Sequence, residues 1–387
     1  MLYINSIFLW FGAAISIAEI FTGTFFAPLG LKNGIIIIII GHLIGCTLMY
    51  LIGLISSKTN LTTMKSTSRS FGKRGSLFFA SVNGIQLIGW TAIMIYSGAI
   101  AANLLFNKIS VTTFSFLISA LIICWLIIKY KELTIISSII IFLLFLLTLL
   151  VSKKIFALNY TTEIKSSISL FSALELSIAM PLSWLPLIGD YTTTKKSNHK
   201  IPLISALTYF IASSWMYIIG LFCALYTKEN DFAIILSKLG MGSIGLILII
   251  LSTVTTTFLD AFSCGVSFSI FNINGKKVSI ISVIIGLIIA LFWNQGTLES
   301  FLYLISSIFI PMAAIQITDY FLIKKDVSNS IYDKANYVIF IIGFIVYRYL
   351  LYIDFFLGIS ISTMIITSLL VILYNSINKK GLKNVQK

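Results

Sequence analysis

Apolar runs long enough to cross a bilayer recur from one end of this chain to the other, and that repetition limits its possible folds more than any motif. A hydrocarbon core takes roughly 20 helical residues per crossing. Within it each backbone N–H and C=O must be paired by the protein, so such runs become helices. Runs of this kind lie near 6–29, 34–55, 76–105, 112–128, 133–151, 167–189, 201–226, 242–271, 278–293, 298–323, 336–352 and 355–376. The expectation is an all-α polytopic membrane protein of about twelve transmembrane helices. With 58% hydrophobic and 10% charged residues, the chain has too few polar side chains to clothe a soluble globule. Cys46, Cys124, Cys223 and Cys264 are scattered singly, which gives neither metal-ligand spacing nor a disulfide framework.

The net charge of +14, from 27 Lys and Arg against 13 Asp and Glu, could suggest nucleic acid. No basic domain interleaved with aromatics accompanies it. The basic residues instead gather in alternate loops and the tail, among them Lys58, Lys65, Arg69, Lys73, Arg74, Lys129, Lys195, Lys196, Lys276, Lys277, Lys379 and Lys380. Positive charge of this kind marks the cytoplasmic side, so both termini are expected there, in a cell membrane. The longest connection, near 56–75, is basic and rich in Ser and Thr, and suits a short interfacial helix. The N-terminus has no basic region and cleavage site of the signal-peptide kind, so its first apolar segment is read as retained. The partners expected are lipid and a small molecule, with no nucleic acid and no obligate protein partner.

Ionisable and amide groups inside apolar spans are costly unless they meet a cavity or a partner. The segment Leu170–Tyr191 carries Glu175, Pro181 and Pro186. A proline there frees a backbone carbonyl, and freed backbone at membrane depth is tolerated only where protein or a cavity covers it. The first span, with Glu19 among Gly12, Gly23 and Gly30, is the matching irregular segment of the first half. Interrupted segments in corresponding places of two halves point to a midplane binding site. In the third span Gln86, Trp90 and Met94 share a helical face. An indole beside an amide suits a flat heteroaromatic ligand; an interhelical amide bond beside a packing tryptophan is the plainer alternative. In the eighth span Ser252, Thr256 and Asp260 form one face, with Thr253 and Thr257 alongside. Their hydroxyls could ligate a small cation or simply tighten helix packing. Asp260 needs a proton, a cation or a partner. Asp190 and Asp319 are read as structural or gating groups, Glu299 as a helix-start partner, and His42 as a hydrogen-bonded packing residue rather than a proton relay.

Five stretches then carry a family resemblance: WFGAAISIAEIFTGTFFAPLG, SFGKRGS, NGIQLIGWTAIMIYSGA, MPLSWLPLIGDYT and LSTVTTTFLDAFS. In this order they resemble the nucleobase:cation symporter-1 family, and most closely its CytX-like branch of hydroxymethylpyrimidine transporters. The resemblance implies a LeuT-like fold. Two inverted five-span repeats, about 1–155 and 156–330, form a core over 1–330, and two further helices with a short basic tail occupy 331–387. It implies that Trp90 stacks on the ligand, that Gln86 bonds it with a one-residue offset, and that Glu19 lies near its polar contact. Ser252 and Thr253 match a sodium-binding hydroxyl pair, completed by first-span backbone near Ala18. The pattern fails in three places. Met94 stands where hydantoin carriers have glutamine, and Phe258 where an asparagine is expected, which passes that polar role to Asp260. The usual sixth-span aromatic position falls near Pro181, with Trp184 the available ring.

The function expected is secondary active import of a pyrimidine-type ring compound, hydroxymethylpyrimidine first, by cation symport with alternating access. Cytosine, a purine or another nucleobase is the alternative cargo, and an amino acid a remoter one. Glu19 or Glu175 would accept from an exocyclic amine, and Asp260 is a further substrate-binding candidate. No cofactor is expected, and the coupling ion is sodium or a proton. Two distant histidines and no nucleophile or metal cluster argue against an enzyme. A stacking tryptophan beside amides is unlike a channel filter.

Overall fold

The computed structural model describes all residues except 1, 129, 157–167, 194–198, 228–241, 294–297, 354, 356–357 and 386–387. Lys129, Lys195 and Lys196, used above for orientation, therefore lie outside the described residues. Those described form helices and connections, with no strand among them.

The first expected span is two helices. Helix α1 (Leu2–Ala14) stops, Ser16 takes an extended backbone (φ −139°, ψ 158°), and α2 (Ile17–Thr24) begins with the Glu19 N–H donating to the Ser16 hydroxyl. A serine at that position supplies an acceptor to a helix start, so the break is capped without a proline. A 3₁₀ turn at Ala27–Leu29 and Gly30 (φ 72°) then lead directly into α3 (Gly30–Thr59). The short helix expected near 56–75 is α4 (Thr63–Ser66). Helix α5 (Ser68–Leu105) bends at Gly72, where φ is 76° and an added Cβ would lie 2.7 Å from the Tyr332 Cα. Both the conformation and the close approach require glycine there.

Next come α6 (Val111–Ile127) and α7 (Tyr130–Phe156). The sixth expected span is also broken. Helix α8 (Leu170–Trp184) carries Pro181 inside it, and the break follows at the Leu185–Leu187 turn that holds Pro186, before α9 (Ile188–Thr192). The remainder is α10 (Lys200–Thr227), α11 (Gly242–Phe268), α12 (Gly275–Ala290), α13 (Leu298–Ile317) with a π-helical end at Thr318–Ile323, α14 (Lys334–Leu350) and α15 (Ile359–Val385). Seven helical stretches among the described residues are long and apolar enough to cross a membrane, one of them the joined α2–α3 segment Ile17–Thr59. Shorter apolar helices include Tyr3–Ala14 and Val111–Ile127.

Helix α2 packs on α10, α3 on α8 and α10, and α5 on α11 and α12. Small residues permit the closest approach, as is usual within membranes. An added Cβ on Gly220 would meet the Ile20 carbonyl oxygen at 2.0 Å, and one on Gly23 the Tyr217 carbonyl oxygen at 2.3 Å. The broken segment α1–α2 thus lies against α5, α10 and α11, and α8 lies against α3 and α13.

Candidate functional site

A small cavity opens at the α1–α2 break. Ala13, Ser16, Ala18 and Glu19 line it from the break, Trp90 and Met94 from α5, Ser183 and Trp184 from the end of α8, and Thr256 and Asp260 from α11. Four of the expected ligand residues, Glu19, Trp90, Trp184 and Asp260, therefore share one site.

They differ in how far the protein already satisfies them. The Glu19 carboxyl is 1% exposed and held on both oxygens. Tyr209 donates its hydroxyl to Oε1 at 2.5 Å, and Oε2 lies 2.6 Å from the Ser213 hydroxyl. Behind Ser213 the chain of contacts continues to His42: Ser213 Oγ is 2.7 Å from Nε2, while Nδ1 is 2.8 Å from Ser177 Oγ and 3.0 Å from the Ile38 carbonyl. Asp260 is 3% exposed and, among the described residues, receives no hydrogen bond. No lysine or arginine is buried among the described residues, so neither carboxyl faces a fixed cation.

Trp90 is fixed edge-on by Phe301, with ring centroids 5.5 Å apart, and its buried indole N–H has no acceptor among the described residues. Trp184 meets Trp10 edge-on at 5.8 Å and Tyr209 at 6.2 Å. Two indoles with contacting rings behind them make flat, rigid walls.

Three of the expected site groups stand outside this cavity. Gln86 does not line the cavity. Its amide NH₂ donates to Asn83 Oδ1 (2.8 Å) and to the Ser183 carbonyl (3.1 Å), so it braces the end of α8 that carries Ser183 and Trp184. Glu175, expected as a second ligand carboxylate, also lies elsewhere. It accepts from the Tyr347 hydroxyl (2.5 Å) and from the Ser360 hydroxyl (2.5 Å) and N–H (2.9 Å), and so ties α8 to α14 and α15. The Ser252–Thr253 pair does not line the cavity either. Thr253 turns towards α5 and α6, where a Cβ added at Gly98 would meet its methyl at 2.8 Å, and its hydroxyl has no partner among the described residues. Further along α11 it is Thr256 that reaches the break, 3.4 Å from the Gly12 carbonyl. The Ala18 carbonyl, expected beside sodium, accepts the Thr22 hydroxyl at 2.7 Å. Among the described residues no three His, Cys, Asp or Glu side chains gather as metal ligands.

Tyr209, Ser213 and Trp10 were not foreseen. The only trace of the first two in the sequence is a pair of polar residues four apart in an apolar span, which alone cannot name Glu19 as their partner.

Broken helices around a central cavity define a class, the transporters of the LeuT-like fold. Solved structures agree. Mhp1, a nucleobase-cation-symport-1 family transporter in a closed conformation with bromovinylhydantoin bound, matches with a TM-score of 0.81 at 16% identity, over 98% of this chain and 93% of that one. Its inward-facing form gives 0.78 at 15%, over 98% and 91%. A substrate-bound, outward-open Na⁺-coupled sialic acid symporter gives 0.59 at 14%, over 96% of both chains. At these identities the likeness is one of fold. No curated sequence matches the chain. Residues 3–369 match the family of permeases for cytosine/purines, uracil, thiamine and allantoin, and the chain belongs to that family. It is therefore a membrane transporter and not an enzyme.

Proposed function

We propose that the protein imports a pyrimidine-type ring compound, hydroxymethylpyrimidine first, by symport with sodium or a proton. Cytosine or another nucleobase is the second reading, which the family's breadth of cargo keeps in view. The observation that carries the proposal is the pairing, in one cavity, of the Trp90 and Trp184 rings with an unpartnered carboxyl, Asp260. Indole faces suit a flat ring, whose amino and ring N–H groups would supply the donors Asp260 lacks. Such charge-assisted bonds are about twice as strong as neutral ones. Alternating access would rock the two repeats about this site, with both termini on the cytoplasmic face of a cell membrane.

The test is uptake of labelled hydroxymethylpyrimidine into vesicles, competed by unlabelled hydroxymethylpyrimidine, cytosine, purines and amino acids, with and without sodium. Saturable uptake competed best by aminopyrimidines is expected. Preference for a ring without an amino group would overturn the role given to Asp260, and amino-acid transport would overturn the substrate class.

A further inference from the structure

The Glu19–Ser213–His42 chain permits a count of protons from its contacts alone. The Ile38 carbonyl can only accept, and two polar atoms face it: Ser177 Oγ donates to it at 2.8 Å, and His42 Nδ1 lies 3.0 Å away. Ser177 Oγ also lies 2.8 Å from Nδ1, and its single hydrogen cannot serve all three contacts, so His42 Nδ1 supplies the second. The other ring nitrogen, Nε2, lies 2.7 Å from Ser213 Oγ, which in turn lies 2.6 Å from Glu19 Oε2. These two contacts need two hydrogens, and Ser213 brings one. The second must sit on Glu19 Oε2 or on His42 Nε2. With it on Glu19, the carboxyl donates to Ser213 and Ser213 to a neutral imidazole. With it on His42, the imidazolium donates to Ser213 and Ser213 to a carboxylate. Both forms are neutral over the pair. Without that hydrogen the pair carries −1, one short contact loses its proton, and no buried lysine or arginine compensates it.

We propose that Glu19 and His42 hold one exchangeable proton between them through Ser213, and that this proton is the cation moved with the cargo, an inference that rests on the symporter reading above. Glu19 lines the cavity, so the proton arrives and leaves at its carboxyl when the cavity opens to either side, taking the pair from −1 to neutral and back. His42, Ser177 and Ser213 stand behind it and take no part in holding cargo. The other titratable groups facing the pair are Tyr209, on Glu19 Oε1; Tyr217 of α10, whose ring meets His42 edge-on at 4.6 Å; Cys46 of α3; and Asp260, on the same cavity. None of them brings a positive charge. Of the two coupling ions left open by sequence, the proton is thereby favoured.

Two measurements test this on the intact protein. Infrared difference spectra of purified protein across the neutral pH range should show a protonated-carboxyl band that Glu19→Gln removes and that His42→Gln and Ser213→Ala shift in its pH dependence. In vesicles, a pH gradient without sodium should drive uphill accumulation. His42→Gln and Ser213→Ala should lower that accumulation roughly tenfold, within the usual range for coupling between two ligands, while exchange of labelled for unlabelled cargo continues. Accumulation that follows sodium and ignores pH overturns the proposal, as does absence of the Glu19 band or wild-type accumulation by both variants. A Glu19 band that responds to His42→Gln while no ring compound is taken up upholds the proton site and overturns the cargo reading instead.

Discussion

Asp260 and Glu19 line one cavity and differ in one respect: Glu19 has a hydrogen-bond partner on each oxygen, and Asp260 has none among the described residues. The open carboxyl is therefore the one with bonding capacity left for cargo. A hydrogen bond to a charged group contributes about 1.5–3 kcal/mol, so Asp260→Asn should weaken cargo uptake roughly tenfold to a hundredfold, read from initial rates against concentration. Unchanged rates would remove Asp260 from the site. Trp90→Ala should abolish saturable uptake while the protein still inserts, as judged by surface labelling. Thr256 is a lesson at the same scale. Helical spacing alone put Ser252, Thr256 and Asp260 on one face, and Thr256 and Asp260 do meet at the α1–α2 break. The family's Ser-Thr pair pointed instead to Thr253, whose side chain turns towards Gly98. Periodicity reads a side chain's direction, whereas a motif match carries over only residue identity.

The two interrupted helices were legible as irregular, but the places where they break were not. Pro181 stays inside α8, and the helix ends three residues later, at Trp184. The α1–α2 break needs no proline, because Ser16 caps it. Glu175 was legible as a buried carboxyl and illegible in role. Its partners, Tyr347 and Ser360, lie 172 and 185 residues away, and nothing local marks them. As a clamp from α8 to α14 and α15, it makes a different prediction from a ligand group. Glu175→Ala would leave two hydroxyls and an N–H buried without their acceptor, at about 1–3 kcal/mol each. The purified variant should melt at clearly lower temperature, while its molecules that remain folded show the wild-type half-saturation concentration. A raised half-saturation concentration with unchanged melting would return Glu175 to the site. At the α2–α10 contact, Gly220→Leu has no room beside the Ile20 carbonyl, so it should lower both folded yield and uptake.

For the molecule as a whole, hydropathy was enough to indicate a helical membrane bundle, and five separated motifs were enough to indicate its family. What they could not supply is which helices share a wall, since that depends on contacts between distant segments. The last two helices show this. They read as an appendage to a ten-span core, yet Glu175 bonds them to α8, and Asn336 at the start of α14 donates to Asp319 (2.7 Å) and to the Ser70 carbonyl (2.7 Å). They should therefore matter to stability even if they never touch cargo, and truncation before α14 should lower the folded yield measured by size-exclusion profile.

Helix α2 runs into α3 through a single tight turn and folds back beside it, so that Glu19 of α2 and His42 of α3 meet the same Ser213 hydroxyl. A hairpin pinned in this way moves as one piece. Any displacement of the Glu19 wall as the cavity fills would carry α3 with it, down to its end at Thr59, clear of the cargo. A reporter dye placed there would register occupancy of a pocket it never enters, which makes the end of α3 a remote gauge for a closed site.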